Sequence, residues 1–403
     1  MRRLNYFFCA AAASLSFAAV AHADPLPAPS TSPTLTTNTS PASFDAGPLG
    51  KLYFGGAISG LGMYQDNPTP VTLTTDFNNG VPGPNAGVKL VTDHHWQADF
   101  SNAQAWVEKN DGLIQAFVEV GAYSFPSLGT TYVPAKTANE FTFGAMPVGY
   151  IKIVPNSTFS IEAGKLPTLI GEEYGFTFQN MNINRGLLWN QEPLISRGVQ
   201  ANFTQGKVAL SVSLNDGYYS SRYNWISGLL TLTLTPADTL AFAGGGNLGS
   251  SARSTYITPL LQNNSDIVNV MYTHTKGNWS ISPYFQYTHV PVDSALGINK
   301  SASTYGGAIL TKYSFTPEVS VAARGEYESS TGLVGGVQPS LLYGPGSKAW
   351  SLTLTPTYQK KIFFIRGEVA YTKLVDFTPG FGLGPNLDAT HQVRVAAETG
   401  ILF

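Results

Sequence analysis

The feature that most constrains this chain is a strict alternation of apolar and polar residues from Lys51 onward. In residues 208–215 Val and Leu alternate with Ala, Ser and Asn, and residues 230–235 and 351–355 repeat the pattern with Leu, Thr and Ser. A period of two is that of a β-strand, whose successive side chains point to opposite faces. The apolar faces would meet in the core of a soluble sandwich, or would meet lipid in a membrane barrel whose polar faces line water.

The lengths of the connections favour the barrel. Seven tight turns, such as Asn110-Asp111-Gly112 and Pro155-Asn156, alternate with eight longer segments. Short periplasmic turns and long external loops are typical of an outer-membrane barrel, whereas a sandwich gives no reason for such sorting. The alternation predicts an all-β fold, a transmembrane antiparallel β-barrel of about 16 strands: 51–63, 98–109, 112–123, 141–154, 157–165, 196–204, 207–215, 223–235, 239–247, 265–275, 278–290, 301–314, 318–329, 347–359, 361–373 and 391–403.

The composition agrees with this class. Charged residues make up 12% of the chain, against about 25% in an average soluble protein. A helical membrane protein is excluded, because each spanning helix needs about 20 consecutive apolar residues and none follows the N-terminus.

The N-terminus reads as a secretory signal peptide over residues 1–23. A basic start, an apolar stretch from Leu4 to Val20 and the small-x-small site Ala21-His22-Ala23 are its three parts. Residues 24–46 are rich in Pro, Ser and Thr and predict a flexible, unstructured leader, so the barrel would occupy residues 47–403. We therefore expect a protein of the Gram-negative outer membrane, in contact with outer-membrane lipid.

Removal of the signal peptide takes away the single cysteine, Cys9, and leaves 21 basic against 25 acidic residues. The mature chain then has no thiol for a disulfide or a Cys-ligated metal. Nucleic acid is not expected as a partner, because phosphate binding needs a concentrated basic surface.

The last predicted strand ends on an aromatic residue. His391, Val393, Val395, Ala397, Thr399, Ile401 and Phe403 share one face. A terminal Phe on an amphipathic strand resembles the assembly signal of bacterial outer-membrane proteins.

A resemblance to a known family lies within residues 164–199. Gly164-Lys165, Gly171-Glu172-Glu173, Asn184-Arg185-Gly186-Leu187-Leu188-Trp189, Gln191-Glu192-Pro193 and Arg197-Gly198-Val199 resemble the OmpL-like family of β-barrel outer-membrane porins. The resemblance implies an outer-membrane barrel with a porin role, names no substrate and brings no catalytic residues. A homotrimer is expected by analogy with general porins.

The same segment contains a candidate pore constriction. Residues 166–195 form the third long loop and carry Glu172, Glu173, Arg185 and Glu192. A sixteen-stranded barrel encloses an open channel, and clusters of charge at a constriction are a common filter. We expect this loop to fold inward; the alternative is a loop packed on the external rim.

Strand parity predicts the wall that such a loop would face. With the apolar residues turned to lipid, six charged side chains point into the lumen from the thirteenth, fifteenth and sixteenth strands: Arg324, Glu326, Arg366, Glu368, Arg394 and Glu398. One interpretation places Glu172 and Glu173 across the pore from the three arginines, which gives a transverse field. The alternative is that each arginine pairs with neighbouring Glu residues across the strands.

Function follows from these predictions. We expect a passive channel for small hydrophilic solutes, without cofactor or metal. An outer-membrane barrel enzyme of lipase or protease type is the first alternative, with Asp93-His94-His95, His274, His289 and His391 as its candidate residues, but no nucleophile context accompanies them. A structural or adhesive barrel is the second, although the predicted inward residues are mostly small.

Overall fold

The structure, a computed structural model, describes residues 33–38, 40–69, 71–72, 77–78, 81–82, 89–91 and 94–403. The predicted signal peptide, the first part of the predicted leader and Asp93 lie outside the described residues.

The described chain forms one closed antiparallel barrel of sixteen strands. Each strand pairs with its neighbours in sequence, and the first pairs with the last through a register that runs from Ala57 opposite Leu402 to Gln65 opposite Arg394. The strands are β1 Lys51–Gln65, β2 Trp96–Lys109, β3 Ile114–Tyr123, β4 Val148–Ile153, β5 Phe159–Pro167, β6 Ile195–Gln205, β7 Val208–Asn215, β8 Trp225–Thr235, β9 Asp238–Asn247, β10 Asp266–Lys276, β11 Trp279–Val290, β12 Ala302–Ser314, β13 Val319–Ser330, β14 Lys348–Lys360, β15 Phe363–Asp376 and β16 His391–Leu402. The predicted fold class and strand count are confirmed.

One predicted strand begins in the wrong place. The sequence predicts an extended segment over residues 141–154, but β4 starts at Val148, and Ala135–Phe141 forms helix α1. Helix α1 contains no proline or glycine, and its residues Ala135 and Ala138 are buried. Phe141 is therefore the last residue of α1, and Phe143 lies in the segment between α1 and β4 instead of in a strand.

Smaller elements lie outside the barrel strands. Strand Ala42–Asp45 pairs with the first four residues of β1, so the prediction of an unstructured leader does not hold for these four residues. The others are helix α2 Leu260–Asn263, the 3-10 helices Gly47–Leu49, Thr177–Gln179, Leu188–Gln191 and Ser294–Leu296, and the paired short strands Val71–Thr72 with Lys89–Val91 and Phe77–Asn78 with Val81–Pro82.

The connections sort by length between the two ends of the barrel. The seven at one end, which we call the short-turn rim, contain two to five residues, and the eight at the other end, the long-loop rim, contain nine or more. The second and third of the long loops are L2, residues 124–147, and L3, residues 168–194. Strand β1 begins and β16 ends at the short-turn rim, as an even number of strands requires.

Exposure alternates along the strands as the sequence parity predicts. Val319 and Tyr327 on β13 are 38% and 47% exposed, whereas Arg324 between them is 1% exposed. The apolar residues thus face outward from the barrel, and the polar residues face the lumen. Among the described residues, no helix has the length and apolar character needed to cross a membrane.

The C-terminal Phe403 completes the barrel closure at the short-turn rim. Its backbone N–H donates to the Gly56 carbonyl at 2.9 Å, and its carbonyl accepts from the Gly56 N–H at 2.8 Å. A Cβ on Gly56 would lie 2.5 Å from the Phe403 ring. The ring therefore packs directly over Gly56, at the seam between β16 and β1.

Deletion of Phe403 should reduce the yield of assembled barrel strongly, because it removes these two closure hydrogen bonds and the ring that covers Gly56. Heat-modifiable mobility of the protein in isolated outer membranes measures assembly. Replacement by Trp, which keeps an aromatic terminus, is the matched control and should assemble well. Equal assembly of the deletion variant and the wild type would contradict a role for Phe403.

Candidate functional site

Loop L3 lies inside the barrel lumen. Most of its residues are buried, including the four charged residues predicted for the constriction. Its side chains and backbone contact the inner faces of β11 to β16. The inward placement, one of the two alternatives for this loop, is therefore the one that the geometry supports.

Glu173 of L3 binds the wall directly. Its carboxylate accepts from the Arg324 guanidinium at 2.5 Å, and Arg324 also binds Glu326 on the same strand at 3.1 Å. Glu173 further accepts the Gly186 N–H at 2.7 Å, and the carboxylate of Glu326 accepts the Leu187 N–H at 3.1 Å. One arginine and two carboxylates thus fix both arms of L3 to β13.

A second ion pair lies on the two following strands. Arg366 of β15 binds Glu398 of β16, and both side chains are fully buried. Arg366 also donates to the Thr177 carbonyl of L3 at 2.9 Å, and Glu398 accepts from the Thr177 hydroxyl at 2.6 Å. Thr177 therefore contacts both members of the pair.

Asn184 links the two remaining wall residues. Glu368 accepts the Asn184 backbone N–H at 2.9 Å and its side-chain amide at 2.7 Å. The Asn184 side-chain oxygen accepts from Arg394 at 3.2 Å. Arg394 also donates to the carbonyls of Ser127 and Thr130 in L2, so it joins both loops to β16.

These contacts do not form the predicted transverse field. Glu173 touches Arg324 instead of facing it across water, and Arg324 and Arg366 are paired with Glu326 and Glu398, as in the alternative interpretation. Charges on L3 and on the wall neutralise one another at contact distance. Removing one partner of such a buried pair costs about 3–5 kcal/mol, because the other charge is left uncompensated.

Arg185 connects L3 to L2. Its guanidinium donates to the carbonyl oxygens of Tyr174 at 3.1 Å and Pro126 at 3.2 Å, and lies 5.5 Å from the centre of the Trp189 ring. Burial lowers the pKa of Arg185 to about 9. The side chain is fully buried, so it acts as a structural link and does not face a solute pathway. Glu172 is likewise buried within L3.

Glu192 lies at the other end of L3, against β11. Its carboxylate accepts the Tyr284 hydroxyl at 2.8 Å. Burial raises the pKa of Glu192 well above its usual value. The carboxylate also packs on Gly171, where a Cβ would lie 1.9 Å from its Oε2 and where φ is +87°. Glycine is therefore required at position 171 both by the backbone and by the contact.

Apolar contacts hold the opposite side of L3. Phe178 stacks on Trp106 of β2 with 5.7 Å between ring centres, and Phe176 meets Tyr123 of β3 edge-on at 5.2 Å. All four rings are buried. L3 is thus fixed to the wall on both sides, by ion pairs on β13 to β16 and by rings on β2 and β3.

Sequence reasoning missed the participation of L2. The Leu128 N–H donates to the Arg185 carbonyl at 2.9 Å, and the Arg185 N–H donates to the Pro126 carbonyl at 3.0 Å. The contacts of L2 with Arg185 and Arg394 use its backbone N–H and carbonyl groups, which carry no residue-type signal in the sequence. The contact of Asn184 with the wall could have been predicted. Asn184 is a polar loop residue next to Arg185 and Gly186, and the sequence pattern assigns it no other role.

The histidines considered for an enzyme lie apart from this site. His95 contacts the Gln65 carbonyl, His274 contacts Asp238, His289 contacts Ser303, and His391 lies 3.6 Å from Asp66. Within the part of the chain that the structure describes, no three His, Cys, Asp or Glu side chains are grouped as metal ligands.

Comparison with known proteins agrees with this architecture. Residues 51–403 match the family described as "Putative beta-barrel porin-2, OmpL-like". A search of curated protein sequences gives no significant match.

Solved outer-membrane proteins share the fold at low sequence identity. The outer membrane channel DcaP of Acinetobacter baumannii aligns with a TM-score of 0.54 and 10% identity, over 88% of this chain and 97% of its own. OmpT, an outer membrane protein of Vibrio cholerae in its trimer form, aligns with a TM-score of 0.53 and 12% identity, over 87% and 99%. At these identities the likeness shows the fold alone.

Proposed function

The chain belongs to the OmpL-like family of β-barrel porins, and on that basis we propose that it is a passive outer-membrane channel for small hydrophilic solutes, without catalytic activity. The predicted signal peptide, residues 1–23, would direct export of the chain and would then be cleaved. The constriction would be L3 together with the wall residues that hold it.

The observation that carries the proposal is the position of L3. A sixteen-stranded barrel is wide enough for an aqueous channel, and a loop fixed inside it narrows the free cross-section. Seven charged side chains support this position by binding L3 to the wall: Glu173, Arg324, Glu326, Arg366, Glu368, Arg394 and Glu398. Their proposed role is to hold the constriction rigid instead of lining it.

Planar-bilayer recording tests the proposal. The refolded full-length mature chain should give stable single-channel steps in KCl, with a conductance well below that expected for an unobstructed barrel of this strand number. Protein that is heat-modifiable, and hence folded, but shows no channel steps would contradict a channel function.

We also propose a homotrimer. OmpT of Vibrio cholerae, a barrel of the same fold, has been solved in a trimer form, which supports this assembly. Insertion of a trimer should be followed by closure in three equal conductance steps, whereas a monomer would close in a single step.

A further inference from the structure

We propose that the solute pathway runs along the neutral polar wall of β6, β7 and β8, and that the channel favours neutral, hydroxyl-rich solutes over ions. This inference rests on the proposed channel function and names its substrate class.

L3 covers the charged side chains of the wall at the constriction. Arg324, Arg366 and Arg394 are each exposed by 1% or less, and Glu368 and Glu398 by 2% or less. L3 covers these side chains, so a solute cannot reach them while the loop is in place. The wall from β13 to β16 therefore contributes little charge to the pathway, although it is the most highly charged sector in the sequence.

Toward the short-turn rim, L3 leaves part of the wall of β6, β7 and β8 accessible. Asn202 of β6, Ser211 of β7 and Thr231 of β8 have the inward parity and are only half-buried. Toward the long-loop rim the same wall continues with Gln200, Ser213 and Ser227, which lie side by side in the register and are only 2–6% exposed, since the ends of L3 pack against them. Leu229 is an apolar member of this surface.

The polar groups of this wall form two local hydrogen-bond networks. The Asn202 side-chain oxygen accepts from Gln200 at 2.8 Å and from the Ser211 hydroxyl at 2.7 Å. The Asn215 amide donates to the Ser213 hydroxyl at 2.9 Å and to the Ser227 hydroxyl at 3.0 Å. Both networks present hydroxyl and amide groups, which donate and accept hydrogen bonds without net charge.

A narrow gap lies between this wall and the two ends of L3. Thr168, Leu169 and Pro193 line one side, and Gln200, Ser213 and Ser227 line the other. The gap has a volume of about 10 Å³, which is room for roughly one water molecule. A solute larger than water must displace the ends of L3 to pass, and it exchanges hydration water for contacts with the wall.

That exchange favours neutral solutes. A hydroxyl group replaces a hydrogen bond to water with one to Ser or Asn at little net cost. An ion loses part of its hydration shell and meets no fixed opposite charge on this wall, so its transfer is unfavourable.

Other charged residues near this wall are paired or lie beyond it. Arg197 of β6 binds Asp216 at 2.7 Å, and Arg222 and Arg253 lie in loops of the long-loop rim. Glu162 of β5 accepts from Gln200 at 2.8 Å and lies 3.7 Å from Lys152 of β4, so the two charges offset each other. Lys312, near the short-turn rim, donates to the Pro33 carbonyl at 2.9 Å.

Sorbitol and potassium gluconate provide the test, because they are similar in size and differ in charge. In liposome swelling with the wild-type protein, sorbitol should enter clearly faster than gluconate, and the reversal potential in a KCl gradient should stay near zero. Ser211→Arg should raise gluconate influx about fivefold and shift the reversal potential toward anions, the effect expected of one unit charge at about 4 Å in water. Asn299→Arg, on an exposed loop of the long-loop rim, is the matched control and should change neither value.

The possible results distinguish failure of the channel function from failure of the neutral pathway. Absence of swelling and of conductance with folded wild-type protein would contradict the channel function itself. A conducting wild type that strongly prefers one ion, or a Ser211→Arg variant that behaves like Asn299→Arg, would overturn the neutral pathway and leave the channel function standing.

Discussion

Replacement of residues 172–191 by a short Gly-Ser linker should increase the single-channel conductance several-fold. The replaced residues contain the part of L3 that crosses the lumen, and a barrel of sixteen strands is wide enough to conduct freely without it. The ends of the excised segment are close, because the Glu192 carboxylate packs on Gly171. A short linker can therefore join them without strain on β5 or β6.

The barrel should tolerate this excision. Arg324 and Arg366 would keep Glu326 and Glu398 on their own wall, and water would enter the space that L3 leaves. No charge would remain both buried and unpaired, which is the situation that makes loss of one partner costly. The exposed wall would then contribute charge to the pathway, so a change in ion preference should accompany the rise in conductance.

The measurement combines planar-bilayer recording with heat-modifiability on gels as the control for assembly. A folded excision variant whose conductance equals that of the wild type would show that L3 does not limit the pathway. Failure to fold would instead show that L3 contributes to barrel stability. A single substitution at Gly186 would then test whether L3 is held in the lumen.

The barrel could be predicted from the sequence because its determinants are local. The two-residue period sets which side chains face outward from the barrel, and turn residues such as Asn110-Asp111-Gly112 set the ends of the strands. Parity alone places Arg324, Arg366 and Arg394 in the lumen, since each lies between apolar residues that face outward. These inferences need no knowledge of contacts between distant parts of the chain.

The contacts of L3 could not be predicted in the same way, because they join residues far apart in sequence. Glu173 and Arg324 are 151 positions apart, and Asn184 and Glu368 are 184 positions apart. The pattern of charges shows that L3 and the wall carry complementary charges. It does not decide whether these charges touch or face each other across a water-filled pore. That choice depends on how deeply the loop enters, which its apolar anchors Phe176 and Phe178 and its glycines determine.

Gly186→Ala should release L3 from the wall. A Cβ at this position would lie 1.9 Å from Oε1 of Glu326, and Glu326 cannot easily retreat. Its other oxygen accepts from Arg324 at 3.1 Å and from the Ser351 hydroxyl at 2.6 Å. The loop must therefore move, which costs about 1–3 kcal/mol for overpacking of this kind and weakens the Glu173 contact that the Gly186 N–H supports.

Limited trypsin digestion of the folded protein measures this release. Arg185 is fully buried in the wild type, so cleavage after it should be slow, and Gly186→Ala should make it fast and raise the conductance. Gly175→Ala is the matched control, because it lies in the same loop and the nearest atoms to its Cβ would be those of the flexible Leu194 side chain, at 3.1 Å or more. If both variants resist cleavage and conduct like the wild type, the contact between Gly186 and Glu326 does not hold L3 in the lumen. Cleavage in Gly186→Ala alone would tie the position of L3 to one glycine and the carboxylate that it leaves room for.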